Sequence, residues 1–239
     1  MKNHVQTNGT TSYQDGTYLN SNPTWHEEDS SWKAQKVLNL LNKNSLNPQS
    51  IAEVGCGAGE ILRCIANINH NATCYGYEIS SQAFEICKKK EKTNLQFFHA
   101  DLLSQELHDK YDLLMAIDVF EHIEDYIGFL RKLKSKGQYK IFHIPLDLSA
   151  QAVIRVSPII YSRTKYAHLH HFTKEIALSA LMLAGYEIID YSYTSGSLEL
   201  NNLGWKTRML KFPRKFLFNI NQDFAVRLLG GFSLLVLAK

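Results

Sequence analysis

The sequence predicts an α/β domain built on a seven-stranded, mostly parallel, doubly wound sheet with helices on both faces. Three observations carry that prediction. Strand-sized apolar runs alternate with helix-sized segments between residues 50 and 145. One run, Tyr111 to Ile117, is apolar almost throughout, as a strand covered on both faces requires. The first run leads directly into a glycine-rich turn, Gly55-Cys-Gly-Ala-Gly59, that opens a helix.

Each element follows from local chemistry. Residues 1–22 are rich in Asn, Thr, Ser, Gly and Tyr and read as a polar, flexible arm; residues 23–239 read as one domain. Asp29 or Ser30 is a suitable N-cap, with Trp32, Val37, Leu38 and Leu41 at helical spacing behind it. Ile51–Val54 is the first strand and Glu60–Asn69 the first crossover helix. Thr73–Ile79 is the second strand, and Ser80 or Ser81 caps a helix running to Lys90. Leu95–His99 and Tyr111–Ile117 are the third and fourth strands. Phe120–Leu133 reads as one continuous helix before a fifth strand at Tyr139–Ile144. An insertion near 148–171 follows. Thr173 caps a helix over Lys174–Leu183 that Gly185 stops, and Tyr186–Tyr193 is strand six. A second insertion near 195–225 precedes a last strand at Ser233–Leu237. The two insertions are expected to form a lid.

Composition sets outer limits. A chain of 239 residues, 45% hydrophobic and 21% charged, excludes disorder of the bulk and coiled-coil classes. The charge balance, 26 − 23 = +3, is too small to imply nucleic acid by itself. Cys56, Cys64, Cys74 and Cys87 form no CxxC pair, which argues against a zinc site or a disulfide framework. The first twenty residues hold no apolar signal-peptide core, and no apolar run approaches the ~20 residues of a membrane span. A cytoplasmic protein is expected.

The chemistry concentrates in Ile51-Ala-Glu-Val-Gly-Cys-Gly-Ala-Gly-Glu60. Its glycines do not follow the G-x-G-x-x-G spacing of dinucleotide sites, and Glu60 would repel a pyrophosphate. Glu53-x-Gly55-x-Gly57-x-Gly59, an acid closing strand two (Glu78), an Asp closing strand three (Asp101) and the acidic stretch Ile117-Asp-Val-Phe-Glu-His-Ile-Glu-Asp125 occur in order. In this the chain resembles the class I S-adenosylmethionine-dependent methyltransferases, and within them the quinone-biosynthesis O-methyltransferase-like group. The resemblance covers residues 50–145 and implies a Rossmann-like fold with S-adenosylmethionine as cofactor. It implies that Gly55, Cys56, Gly57 and Gly59 seat the cofactor's carboxylate, with Glu53 and Asp118 near its ammonium. Glu78 would hold the ribose hydroxyls, Ile79 would lie beside it, and Asp101 with the Leu102 backbone would meet the adenine. Glu78 lies 19 residues beyond Gly59, close to the ~20 expected of a ribose-binding acid.

Methyl transfer to a hydroxyl benefits from a general base, most often His. His122, His143 and His171 are the candidates, with His168 and His170 in the same loop as His171. Asp118, Glu121 and His122 resemble the Glu-x-x-Glu-His stretch of some metal-dependent methyltransferases, but acids opening a helix are the favoured reading, and no metal is expected. Trp25, His26 and Trp32 are candidates to close over the cofactor. Segment 203–218 interleaves Lys206, Arg208, Lys211, Arg214 and Lys215 with Trp205, Met209, Leu210, Phe212, Phe216 and Phe218. It suits a membrane surface or an anionic substrate, or else an amphipathic cap with a solvated basic face. The leading function is methyl transfer to a small molecule, with a hydroxyl oxygen ranked first as the acceptor atom; an RNA methyltransferase using the basic segment and a non-catalytic cofactor-binding module are the alternatives. These motifs do not encode the acceptor or the oligomeric state.

Overall fold

The computed structural model describes residues 27–106, 110–200 and 205–239. The N-terminal arm, Trp25, His26, and the side chains of Trp205, Lys206, Arg208, Met209 and Leu210 lie outside the described part.

In chain order the elements are α1 (Glu27–Lys43), β1 (Ser50–Val54), α2 (Glu60–Ile68), β2 (Thr73–Glu78), α3 (Ser81–Cys87), β3 (Leu95–His99), β4 (Tyr111–Ile117), α4 (Tyr126–Leu133) and β5 (Gly137–Leu146). They continue as α5 (Ala150–Arg155), α6 (Ser157–Lys165), α7 (Lys174–Leu183), β6 (Ile188–Thr194), α8 (Gly196–Glu199), α9 (Trp205–Ile220), α10 (Gln222–Leu229) and β7 (Phe232–Ala238). The seven strands form one sheet in the order β3-β2-β1-β4-β5-β7-β6. Neighbours from β3 through β5 pair in parallel, whereas β7 is antiparallel to both β5 and β6. The sheet reverses hand of pairing only where β7 slots between its two partners.

Two-residue periodicity divides the core between the sheet's faces. Ile51, Leu113, Met115, Ile141 and Leu235 pack with α1, α2 and α3. Their immediate neighbours Ala52, Leu114, Ala116, Phe142 and Val236 pack with α4, α7 and α10. Both faces are covered, which is why β4 reads as a near-continuous apolar run. Glu53 and His143 follow the first set by register, and so face the α1 side near the carboxyl ends of β1 and β5.

Three element boundaries differ from the sequence reading. Helix α1 already includes Glu27 and Glu28, so that Ser30, offered as a cap, is buried within it. The segment Phe120–Leu133 is not one helix. Phe120–His122 forms a single 3-10 turn, and α4 starts afresh where Asp125 Oδ1 accepts from Gly128 N at 2.8 Å. The break lets the chain leave β4 sharply at Asp118, a non-glycine residue with φ of 54°. Strand β6 begins at Ile188, because Tyr186 N caps α7 by donating to Leu181 O. The insertions hold helices α5 and α6, and α8 to α10.

Candidate functional site

The turn after β1 is fixed by its glycines. Gly55, Gly57 and Gly59 all have left-handed φ of 55–75°. At Gly59 a Cβ would also lie 2.5 Å from the Phe97 ring, so the position admits no side chain. Gly55 N and Cys56 N donate to Tyr77 O at the end of β2, at 2.8 and 3.2 Å. Gly57 N donates to Glu78 Oε2 at 2.8 Å, and Gly59 N to Cys56 O at 2.9 Å. The glycine amides expected to seat a carboxylate are therefore used inside the protein. The donors left by this geometry are the first-turn amides of α2, which have no intrahelical acceptor. Glu60, feared as a repulsive charge at that point, is neutralised. Arg63 hydrogen-bonds it and Lys90 lies 3.1 Å away, holding its carboxyl down to about 2 against partial burial.

A cavity of about 410 Å³ opens above these strand ends. It is within the size range of small-molecule sites. Glu53, Gly55, Cys56, Gly57, Gly59, Glu78, Ile79, Asp118, His122 and His143 all contribute to its wall. Asp101, Leu102 and His171 do not. Asp101 Oδ1 caps the turn Leu102–Ser104 through Leu103 N at 2.9 Å, and Leu102 is core.

Charge is organised around a largely buried cation, Lys33, that sequence reading missed. Lys33 Nζ lies 2.9 Å from Asp118 Oδ2 and 3.0 Å from Asp29 Oδ2. Burial alone would lower its pKa, but the two carboxylates hold it above the usual lysine range. Asp118 Oδ1 meets His143 Nδ1 at 2.6 Å, and His143 Nε2 meets Thr194 Oγ1 at 2.8 Å. Burial would raise the Asp118 pKa; His143 and Lys33 together hold it well below the carboxylate range. A chain Lys33–Asp118–His143–Thr194 thus ties α1 to the ends of β4, β5 and β6. The only sequence sign of Lys33 was its i,i+4 spacing from Asp29.

Two carboxylates stand apart from that network. Glu53 is 1% exposed, and its Oε2 has no hydrogen-bond partner among the described residues. Burial pushes its pKa well up, partly opposed by Lys33. Glu78 is also buried. Burial raises its pKa, while the amides of Ser80, Gly57 and Ile79 counter the rise.

The second group lies on the 3-10 turn and the facing loop. His122 Nδ1 donates to Ala167 O at 3.1 Å, which leaves the proton of a neutral ring on Nδ1. Glu121 is fully buried, with neither carboxylate oxygen hydrogen-bonded among the described residues; its Oε1 is 3.8 Å from His122 Nε2. One donor atom each from Glu121, His122 and His168 falls within 4.8 Å of the others, a donor set that suits a divalent cation. Asp147 contacts His168 Nδ1 at 2.6 Å and His171 Nδ1 at 3.2 Å. Asp118, the first acid of the sequence stretch, instead directs both oxygens to His143 and Lys33. His170 Nε2 donates to Ile123 O at 2.9 Å, a loop-holding contact.

Residues 52–136 match the family model described as "Methyltransferase domain". Over 89 residues the chain is 29% identical to an (S)-coclaurine N-methyltransferase of Thalictrum flavum subsp. glaucum, covering 36% of this chain and 25% of that protein. Over 167 residues it is 23% identical to the mitochondrial ubiquinone biosynthesis O-methyltransferase of Schizosaccharomyces pombe, covering 57% and 59%. The chain therefore spans less than two thirds of the length of either relative. In fold it is similar to magnesium protoporphyrin IX methyltransferase from Synechocystis PCC 6803 with bound SAH, at a TM-score of 0.58 and 17% identity over 87% of this chain and 82% of that one. By these matches residues 52–136 are a methyltransferase domain, and the glycine turn, the strand-end acids and the fold are similar to those of the class I S-adenosylmethionine-dependent methyltransferases.

Proposed function

We propose that this chain transfers the methyl group of S-adenosylmethionine to a small-molecule acceptor, at a hydroxyl oxygen. The observation that carries the reading is the buried, unsatisfied Glu53 oxygen at a cavity that Glu78 also walls. An unpaired buried carboxylate calls for a cation. S-adenosylmethionine, when bound, supplies an activated methyl group and brings an ammonium, a carboxylate and a ribose diol. Glu53 suits the ammonium, and the first-turn amides of α2 suit the carboxylate. Glu78 accepts one amide on each oxygen and retains lone pairs for two hydroxyls. Ile79, next to Glu78 on the cavity wall, suits the adenine, whereas Asp101 and Leu102 do not line that wall.

His122 is the assigned base. Its Nδ1–H is held by Ala167 O, so the neutral ring carries its lone pair on Nε2, and it walls the cavity. His143 has Asp118 and Thr194 on its two nitrogens and acts as a positioning residue for the Asp118 carboxylate. His171 stands behind His168 on Asp147. A base favours a hydroxyl acceptor, since a neutral amine needs no proton removed before attack. Trp32 on α1 donates to Glu199 on α8 at 2.9 Å, a contact suited to a lid between α1 and the second insertion.

Titration calorimetry tests the assignment. S-adenosylmethionine binds the full chain, and Glu78→Ala weakens it at least about tenfold, the loss of charge-assisted hydrogen bonds. His122→Ala lowers turnover on hydroxylated acceptors by about 10²-fold or more with cofactor affinity kept. Unchanged affinity in Glu78→Ala, or a bound nicotinamide dinucleotide instead, overturns the reading.

A further inference from the structure

The helices of the two insertions carry their apolar side chains outward. On α9, Phe212, Phe216 and Ile220 recur every four residues and are 82%, 69% and 65% exposed. They form one stripe. The opposite side of α9 is already anchored, with Phe218 stacked on Phe232 at 5.2 Å and Arg214 donating to Leu229 O. The outward stripe is therefore surplus to packing. On α10, Phe224 and Leu228 repeat the pattern. In the first insertion Ile154 is 82% exposed, and Val153, Val156, Ile160 and Tyr161 are all more than half exposed. Helix α10 packs against both α5 and α9, so these side chains belong to one adjoining helical layer. Isolated exposed apolar residues need no explanation, but a cluster of this extent does.

Charge selects the occupant. In sequence, helices α5, α6, α9 and α10 contain Arg155, Arg163, Lys165, Lys206, Arg208, Lys211, Arg214, Lys215 and Arg227 against a single acid, Asp223; among those with described side chains, Arg214 turns inward to Leu229 O and Arg227 pairs with Glu175, which leaves Arg155, Arg163, Lys165, Lys211 and Lys215 for the layer. Asp223 is paired with Lys174 at 2.7 Å. An excess of cations around exposed Ile, Val and Phe matches a surface that is anionic outside and hydrocarbon beneath. Nucleic acid would satisfy the charge, but aliphatic Ile154, Val153, Ile160 and Ile220 offer bases neither stacking nor hydrogen bonds. No described helix is long and apolar enough to cross a membrane, so the contact would lie in the interface plane.

We propose that this helical layer docks on an anionic lipid bilayer. Tyr166 and His168, directly beyond α6, and Gly196, at the start of α8, belong to the wall of the cavity. Docking would bring the cavity's rim close to amphiphilic molecules held in the bilayer. The lipid contact does not depend on the methyl-transfer assignment.

Vesicle co-sedimentation of the full chain tests the proposal. The protein sediments with phosphatidylglycerol-containing vesicles and at least about tenfold less with pure phosphatidylcholine. Phe212→Ser/Phe216→Ser lowers partitioning by about tenfold or more, as expected on removing two inserted aromatic rings. Lys211→Glu/Lys215→Glu does so for the anionic vesicles, and added salt mimics it. Both double variants keep the circular dichroism spectrum and the S-adenosylmethionine affinity of the parent, which separates lost docking from lost folding. Equal recovery in the supernatant with either vesicle overturns the proposal. So does a dimer that the phenylalanine variants dissolve, or salt-sensitive RNA retention without vesicle binding.

Discussion

Glu53, proposed to meet the cofactor's ammonium, is held in its place against stability. The carboxyl is 1% exposed with one oxygen unsatisfied among the described residues, and burial holds its pKa well above the ordinary value. A raised pKa means that the native state binds the proton more tightly than the unfolded chain. Stability therefore falls as pH rises from the unfolded carboxylate value of about 4.3 toward the folded one. Glu53→Gln removes that penalty without changing the side-chain shape. Thermal or urea unfolding should show the variant more stable than the parent at pH 7, by about 1–3 kcal/mol, and nearly equal to it at pH 4. Calorimetry should show S-adenosylmethionine bound more weakly by the variant. A variant less stable at both pH values would place Glu53 in a structural role instead. The glutamate was legible in the sequence because the glycine turn marks its place; its lack of a partner was not, since that depends on the register that turns it toward α1.

At the scale of elements, α1 is legible in the sequence as a helix, but its part in the site is not. Its apolar residues Ala34, Val37, Leu38 and Leu41 dictate the helix and its docking, and their spacing is plain. Lys33 on the same helix reads as an ordinary solvated cation. Only the fold brings it to Asp118, which is 85 positions away (118 − 33) and set at a left-handed bend after β4. The parallel strands were readable because local apolar runs define them, whereas the antiparallel insertion of β7 arises from long-range pairing with β5. Replacing the cation tests the latch. Lys33→Met leaves Asp118 and Asp29 without their ammonium, and about 1–3 kcal/mol of stability should be lost, less than for a fully buried pair because Asp118 is partly solvated. Amide hydrogen exchange should speed up in α1 before the strands. Equal protection in parent and variant would show that apolar packing alone holds α1.

For the whole molecule, the motifs from Glu53 to Asp125 supply part of the cavity wall, but other parts come from segments with no motif. Tyr166, His168 and Gly196 reach the wall from the two insertions, and Lys33 reaches it from α1. A ligand filling such a cavity joins parts of the chain that are distant in sequence, so binding should be felt as global stability. Ligand that binds only the native state adds RT ln(1 + [L]/Kd), about 2.7 kcal/mol at a hundredfold excess over Kd. For a domain of this size that corresponds to a rise in Tm of about 5–10 °C. S-adenosylmethionine should produce the rise in a thermal melt, and Glu78→Ala should remove most of it at the same concentration. The nicotinamide dinucleotides should produce none, because the glycine amides that would meet their pyrophosphate are already committed to Tyr77, Glu78 and Cys56. A comparable rise with a nicotinamide dinucleotide would mean that the turn reopens on binding, and the assignment of this cavity would fail with it.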